Sequence, residues 1–383
     1  MTARSGSRGS GNRGSGNREL ALMGALCLFL SAMEHLIPKP LPFMRIGLAN
    51  FPLLLSLQFF SARNFFLLAF VKVVGQALVT GTLFSYVVLF SLTGTALSAI
   101  TMLLLYRKAS LAGTSIAGAF VSNAAQLALA RFILFGEGIL YLAPPFLAAG
   151  IISGALLGFF AMNFSAKSEW LKSKQENIHG FYKLDGLKDG ENAGKSEDHS
   201  NSPSVSAFMQ TTFRSEKLLK KALWNGCLVF LLVVFLFVPR LPVRAVLFLL
   251  FWIMAIAAKR KTRPLFTIIS IITITLCNCF PPFGKILWEA GPFVLAEGSL
   301  FLGLQRAVTM SGLIMFSRLA LLSMPQLPGK FGALLQECFV ILEKMNSIFF
   351  GGEKVTPGLK TEKTTGGLVE KLDRLLIEVS GAK

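Results

Sequence analysis

Charge is scarce in this chain, acidic charge above all. Of its 383 residues only 15% are Asp, Glu, Lys or Arg, against about 25% in soluble domains. Hydrophobic residues make up 53%, and Phe alone occurs 35 times. Such a chain cannot cover its apolar surface with polar side chains, so it reads as an integral membrane protein. That excludes a cytosolic enzyme, a secreted disulfide scaffold and a free nucleic-acid binder. Histidine is nearly missing: His35, His179 and His199 are the full set, which leaves little for histidine-based catalysis. There is no G-x-x-x-x-G-K-[ST] loop to cradle ATP, no H-E-x-x-H and no G-x-S-x-G. No Asp-Asp-x-x-Asp run exists to hold the magnesium ions of a prenyl diphosphate synthase. The chain therefore reads as a binder or carrier, not an enzyme, and calls for no cofactor and no metal. Cys27, Cys227, Cys277, Cys279 and Cys338 fall mostly inside apolar runs, as small buried residues do.

What is present is apolar runs and basic charge. Lys and Arg number 38 against 20 Asp and Glu, a formal net charge of +18. In a membrane protein such an excess gathers in cytoplasmic loops facing anionic lipid. Ten apolar runs follow one another: 20–37, 46–60, 65–83, 86–106, 116–135, 139–164, 222–238, 243–258, 265–280 and 300–322. A span takes about 20 residues, so the expected fold is all-α, a polytopic membrane helix bundle in two parts, six spans plus four. The second run is short and reads as tilted, broken or partly re-entrant. Residues 1–18 read as a disordered basic tail, 19–165 as the six-helix domain and 166–216 as a disordered cytoplasmic linker. Residues 217–346 read as the four-helix domain and 347–383 as a cytoplasmic tail. Counting passes from a cytoplasmic N-terminus puts Arg63, Arg107, Lys108, Lys167 and the 259–263 Lys/Arg cluster on the cytoplasmic side. Both termini then lie inside a bacterial-type inner membrane. Gly150, Gly154 and Gly158 form a GxxxGxxxG stripe, read as ordinary helix contact within one chain.

Two stretches are too polar to span. Over 330–345 the residues Phe331, Leu334, Leu335, Cys338, Ile341, Leu342 and Met345 share one helical face, which makes an amphipathic helix. Leu368, Leu372, Leu375, Leu376 and Val379 repeat the pattern near the C-terminus, as a short partner-binding or surface helix or a frayed tail.

Polar residues inside the apolar runs are the sharpest functional signal, because each is costly. A charge at the bilayer centre costs roughly 2.5–3.5 kcal/mol on insertion scales. Lys72 lies mid-run with Gln76 one turn on. Asn123 and Gln126 share a face, with Arg131 further along. Glu34 closes the first run, and Arg45 and Asn50 open the second. All fall in the middle or outer half of the membrane. If they converge, they line a net-positive, outward-facing cavity suited to a small anionic or polar solute. Otherwise Glu34 pairs with Arg45 or Lys72, and the amides merely bridge helices.

The first part resembles the Gx transporter family, also labelled heptaprenyl diphosphate synthase component I. The resemblance rests on Glu34-His35-Leu36-Ile37-Pro38, Ile46-Gly47-Leu48-Ala49-Asn50 and Lys72-Val73-Val74-Gly75. It continues through Gly81-Thr82-Leu83-Phe84-Ser85, Ser91-Leu92-Thr93-Gly94 and Ser122-Asn123-Ala124-Ala125-Gln126-Leu127. The family pattern has Arg at Lys72 and His at Ser122. The family is similar to the substrate-binding components of energy-coupling factor transporters, which implies six helices and a solute pocket in the outer half. Its other label implies an accessory subunit of a polyprenyl diphosphate synthase. The second part is similar, on Gly291-Pro292, Glu297-Gly298-Ser299-Leu300, Arg306 and Ser317-Arg318-Leu319, to the transmembrane coupling component of such transporters. That likeness implies separate P-loop ATPase subunits as partners, with Arg318, Lys330 and Glu337 as coupling residues, beside membrane lipid and no nucleic acid.

Overall fold

Apolar runs bounded by Gly, Ser and Pro become helices in the computed structural model. It describes residues 8–36, 47–173, 216–238, 240–258, 264–279, 282–290, 293–321, 329–350 and 368–380. The first part contains α1 (Arg8–Leu36), a 3-10 turn Leu48–Asn50, α2 (Phe51–Ser56), α3 (Ala62–Thr80), α4 (Tyr86–Leu105) and α5 (Leu111–Ala130). A π turn Arg131–Phe135 and a 3-10 turn Gly136–Gly138 lead to α6 (Ile139–Lys167). The second part contains α7 (Glu216–Phe237), α8 (Leu241–Ala257), α9 (Pro264–Asn278), a hairpin of β1 (Ile286–Ala290) and β2 (Phe293–Ala296), and α10 (Glu297–Ala320). α11 (Gly329–Phe350) and α12 (Leu368–Ser380) complete it. The protein is all-α but for that hairpin.

Local chemistry sets the ends. Ser110 accepts from the Gly113 N–H at 3.1 Å and caps α5. α3 stops at Gly81, whose φ of 73° suits a residue without Cβ. Among the described residues five stretches are long and apolar enough to cross a membrane: Ala62–Thr80, Tyr86–Leu105, Leu111–Phe135, Ala143–Lys167 and Glu297–Ala320. Gly226–Phe237, Leu241–Ala257 and Thr267–Asn278 are apolar but shorter. The protein is thus a multi-pass membrane protein, with five full-length helical spans among the described residues. The second run is not one of these five. Gly47 sits beside Glu34 near the end of α1, and Gln58 accepts from Ser165 near the end of α6. This run therefore traverses much of the bundle as a broken segment, with α2 only 6 residues long.

Two boundaries differ from the sequence reading. α1 begins at Arg8, inside the stretch read as a tail. Trp170 and Leu171, read as linker, are buried in a short helical segment at 169–173. The 259–263 basic cluster lies outside the described residues.

α5 and α6 approach through the glycine stripe. A Cβ on Gly154 would lie 3.0 Å from the Ile116 Cα, and one on Gly158 2.6 Å from the Ala112 Cα. The stripe is a contact within the chain, as the sequence suggested. The amphipathic helices also turn inward. Leu335, Cys338, Leu342 and Met345 of α11 join the core formed by α1 and α3, where Phe331 meets Phe70 at 5.2 Å. Leu372, Leu375, Leu376 and Val379 of α12 enter the same core. The Asp373 carboxylate accepts from the Ser168 hydroxyl and from the N–H groups of Glu169 and Trp170, capping the 169–173 segment from far along the chain.

The second part packs on α4, α5 and the π turn. The π turn leaves the Leu134 carbonyl open, and it accepts from Asn278 at 2.9 Å and from Arg306 at 3.1 Å. Eleven residues further along α10, Ser317 accepts from the Phe84 N–H at 2.9 Å. Arg318 lies against Gly81. Counting passes sets 81–85 on the outer side and Arg318 near the inner end of its span. Their contact means that α10 does not stand parallel to and level with α3 and α4.

Candidate functional site

Antiparallel packing of α3 to α6 sorts the polar residues by level. Arg63, Arg107, Lys108 and Lys167 gather where α3 and α5 begin and α4 and α6 end. Lys72 and Gln76 lie in the last half of α3, Ser91 and Thr95 in the first half of α4, and Gln126 near the end of α5. Those five meet at one cavity of about 30 Å³, away from the basic ends. That is room for about two water-sized groups.

α1 supplies Glu34, 2% exposed. Its Oε2 accepts from the N–H groups of Gly47 and Leu48, both at 3.1 Å. Gly47 has φ 95°, a conformation open to glycine. The carboxylate thus ties the 3-10 turn to α1 and sets Asn50 at the cavity wall. From α3, Lys72 is 4% exposed and donates from Nζ to the Asn50 Oδ1. Gln76 follows one helical turn later, equally buried.

α5 brings a full stripe at helical spacing: Ala119, Ser122, Asn123 and Gln126. Gln126 donates from Nε2 to the Ser122 hydroxyl at 3.0 Å. Asn123 donates to the Phe146 carbonyl at 2.9 Å. Glycines on the facing helices make room for them. A Cβ on Gly94 would lie 2.6 Å from the Gln126 Nε2, and Gly150 is equally tight against Asn123. α4 adds Ser91 and Thr95, and α6 adds Ser153. The Ser91 hydroxyl is buried at the cavity wall and has no hydrogen-bond partner among the described residues.

Of the site residues expected from the sequence, Glu34, Asn50, Lys72, Gln76, Asn123 and Gln126 line this one cavity. Arg131 does not; it sits exposed in the π turn. Arg45 lies outside the described residues. Among the described residues the cavity therefore carries one cation, Lys72, and one anion, Glu34. Sequence reading passed over Ser91, Thr95 and Ser153. Hydroxyls are cheap in a membrane helix and often bond to their own backbone, so they do not stand out. The four-residue spacing of Ser91 and Thr95 was the available signal. Among the described residues no group of three or more His, Cys, Asp or Glu could hold a metal ion.

The residues read as coupling groups fall elsewhere. Arg318 packs on Gly81. Lys330 is exposed at the start of α11, and Glu337 is exposed further along. Although the Glu337 side chain is exposed, desolvation of its carboxyl beside α1 raises it above its ordinary value, and nearby Arg18 opposes the rise.

No curated protein and no solved structure matches this chain. Residues 220–323 match a domain family of unknown function. Residues 23–164 match the family described as heptaprenyl diphosphate synthase component I. Every residue lining the cavity falls within that second match, so the cavity-forming segment is similar to the heptaprenyl diphosphate synthase component I family.

Proposed function

We propose that the cavity is a solute-binding site and that the protein is a non-catalytic carrier component of a membrane uptake system. The observation that carries this is the convergence of one carboxylate, one ammonium, four amides and several hydroxyls from six sequence-separated segments on a single void. Each of these groups is expensive in a membrane interior. A cluster gathered solely for helix packing has no reason to leave the Ser91 hydroxyl without a partner beside open space. Balanced charges of Lys72 and Glu34 suit a small polar solute, including one that carries a carboxylate against Lys72. The volume suits a compact polar group rather than an isoprenoid chain.

The basic helix ends on the far side of the bundle support an outer-half position for the cavity and cytoplasmic termini in a bacterial-type inner membrane. No nucleotide-binding loop is present in the sequence, so active uptake would draw on separate P-loop ATPase subunits. Residues 19–165 serve in this reading as the solute-binding domain and 217–346 as the scaffold that meets those subunits. Arg45 and Arg131 are then peripheral to the cavity, and Arg318, Lys330 and Glu337 serve the scaffold.

The test is a thermal-stability screen of the purified full chain against small carboxylates, phosphates, vitamins and prenyl phosphates. A compound that raises the unfolding midpoint in the parent chain, but not in Lys72→Met or Ser91→Val, supports the site. No stabilising compound, or an equal shift in both variants, overturns it.

A second reading is favoured by the family description itself: a membrane accessory subunit of a heptaprenyl diphosphate synthase. Co-purification separates the two. Recovery of P-loop ATPases supports transport, and recovery of a soluble prenyl synthase supports the accessory subunit.

A further inference from the structure

Among the described residues nothing covers the hairpin between α9 and α10. Every residue from Pro282 to Glu289 is exposed, and Phe283, Ile286, Leu287 and Trp288 are each at least half so, Trp288 at 61%. Its base is fixed. The Phe283 N–H donates to the Ser299 hydroxyl at 2.8 Å, and the Glu297 N–H to the Lys285 carbonyl at 2.8 Å. Gly284, with φ 92°, packs on the backbone of Gly298. A rigidly based strand therefore projects from the start of α10. Trp288 pairs with Leu295 across the ladder, and Glu289 faces the other way opposite Val294.

Neither water nor hydrocarbon suits this element. A two-stranded hairpin is marginal in water on its own, and four exposed large apolar side chains within six residues make exposure to water costlier still. Inside hydrocarbon, the outer edges of a two-stranded ladder would leave backbone groups unsatisfied, which lipid-facing segments do not tolerate. The headgroup zone satisfies both demands, and tryptophan concentrates there. Continuity points the same way. Leu265, Ile268, Ile272 and Leu276 form an exposed stripe along α9 that leads to Phe283, and Phe301 continues it on α10. Lys285 and Glu289 bracket the apolar triplet with charge for the polar zone.

We propose that the 283–289 segment is a membrane-interface anchor that lies in the lipid headgroup zone and fixes the depth of α9 and α10 in the bilayer. The occupant of its apolar face is lipid.

Reconstitution of the full chain in vesicles of phosphatidylcholine and phosphatidylglycerol tests this. The emission of Trp288 is isolated as the difference between the parent chain and Trp288→Phe. Quenching is compared for lipids brominated at the shallow end of the acyl chain, lipids brominated at the deep end, and aqueous iodide. The expected result is quenching by shallow bromine about twofold stronger than by either alternative, as for interfacial tryptophan. Strongest quenching by iodide puts the strand in water, and strongest quenching by deep bromine puts it in hydrocarbon. Absence of quenching by all three means that protein covers it. Each of these three outcomes overturns the anchor.

Discussion

At the residue scale, the cavity is built by spending costly groups in pairs. Glu34 is held by two backbone N–H groups, and Lys72 by the Asn50 amide that Glu34 indirectly positions. Hydrogen bonds of this kind let a charge persist in a membrane interior. Replacing Lys72 with Met deletes the ammonium while keeping the bulk of the side chain. Membrane expression should hold, since the apolar content of α3 rises, and ligand-induced stabilisation should vanish. A Lys72→Met chain that fails to reach the membrane would mean that the lysine is structural. The glycines carry a different burden. Gly158 faces the Ala112 backbone, which cannot rotate away as a side chain could. Gly158→Ala should therefore destabilise by about 1–3 kcal/mol, the usual scale for overpacking. A lowered thermal midpoint checks it, with Gly226→Ala, where nothing lies within 4 Å, as the neutral control.

At the element scale, the amphipathic helices were the least legible part. The sequence shows an apolar face on 330–345 and another near the C-terminus, but a helical face does not say what will cover it. In the fold α11 and α12 cover the chain's own α1, α3 and α6. By contrast, the intramembrane polar residues were legible because their cost singles them out, and six of eight line one cavity. The broken second run was legible too, since its apolar stretch is too short for a straight span. Docking of α11 has a chemical readout. Cys338 faces Gly24 of α1, and burial pushes its thiol up to about 12, so it is neither accessible nor ionised near neutral pH. Maleimide should spare Cys338 in the parent chain. Leu335→Asp, which plants a charge in the buried seam, should release α11 and make Cys338 react. Unchanged protection of Cys338 in that variant would mean that α11 is held by something other than its apolar face. For α12, Asp373→Ala removes three hydrogen bonds to the 168–170 segment. It should cost about 1–3 kcal/mol and expose 368–380 to limited proteolysis before the rest of the chain.

At the scale of the whole molecule, charge alone does not fix how two parts stand against each other. Arg306 meets the π turn after α5, and Arg318, twelve residues on, meets the turn after α3. Those two turns lie at the same end of the first bundle. A single helix that reaches both, roughly 18 Å apart along its own axis at 1.5 Å per residue, crosses that end rather than running beside it. Such a crossing is invisible to periodicity, because hydrophobic pattern reports which face is buried and not the angle of approach. It is testable by covalent reach. A Cβ built on Gly81 lies 3.8 Å from the Arg318 Cβ, within the span of a disulfide. The double variant Gly81→Cys with Arg318→Cys should cross-link under mild oxidation despite the left-handed backbone at position 81. With a protease site engineered between positions 174 and 215, the two parts should stay joined on non-reducing gels and separate when reduced. Either single variant should come apart in both cases. If the double variant also comes apart before reduction, the turn after α3 does not meet the end of α10, and the two bundles stand side by side as pass-counting alone would have them.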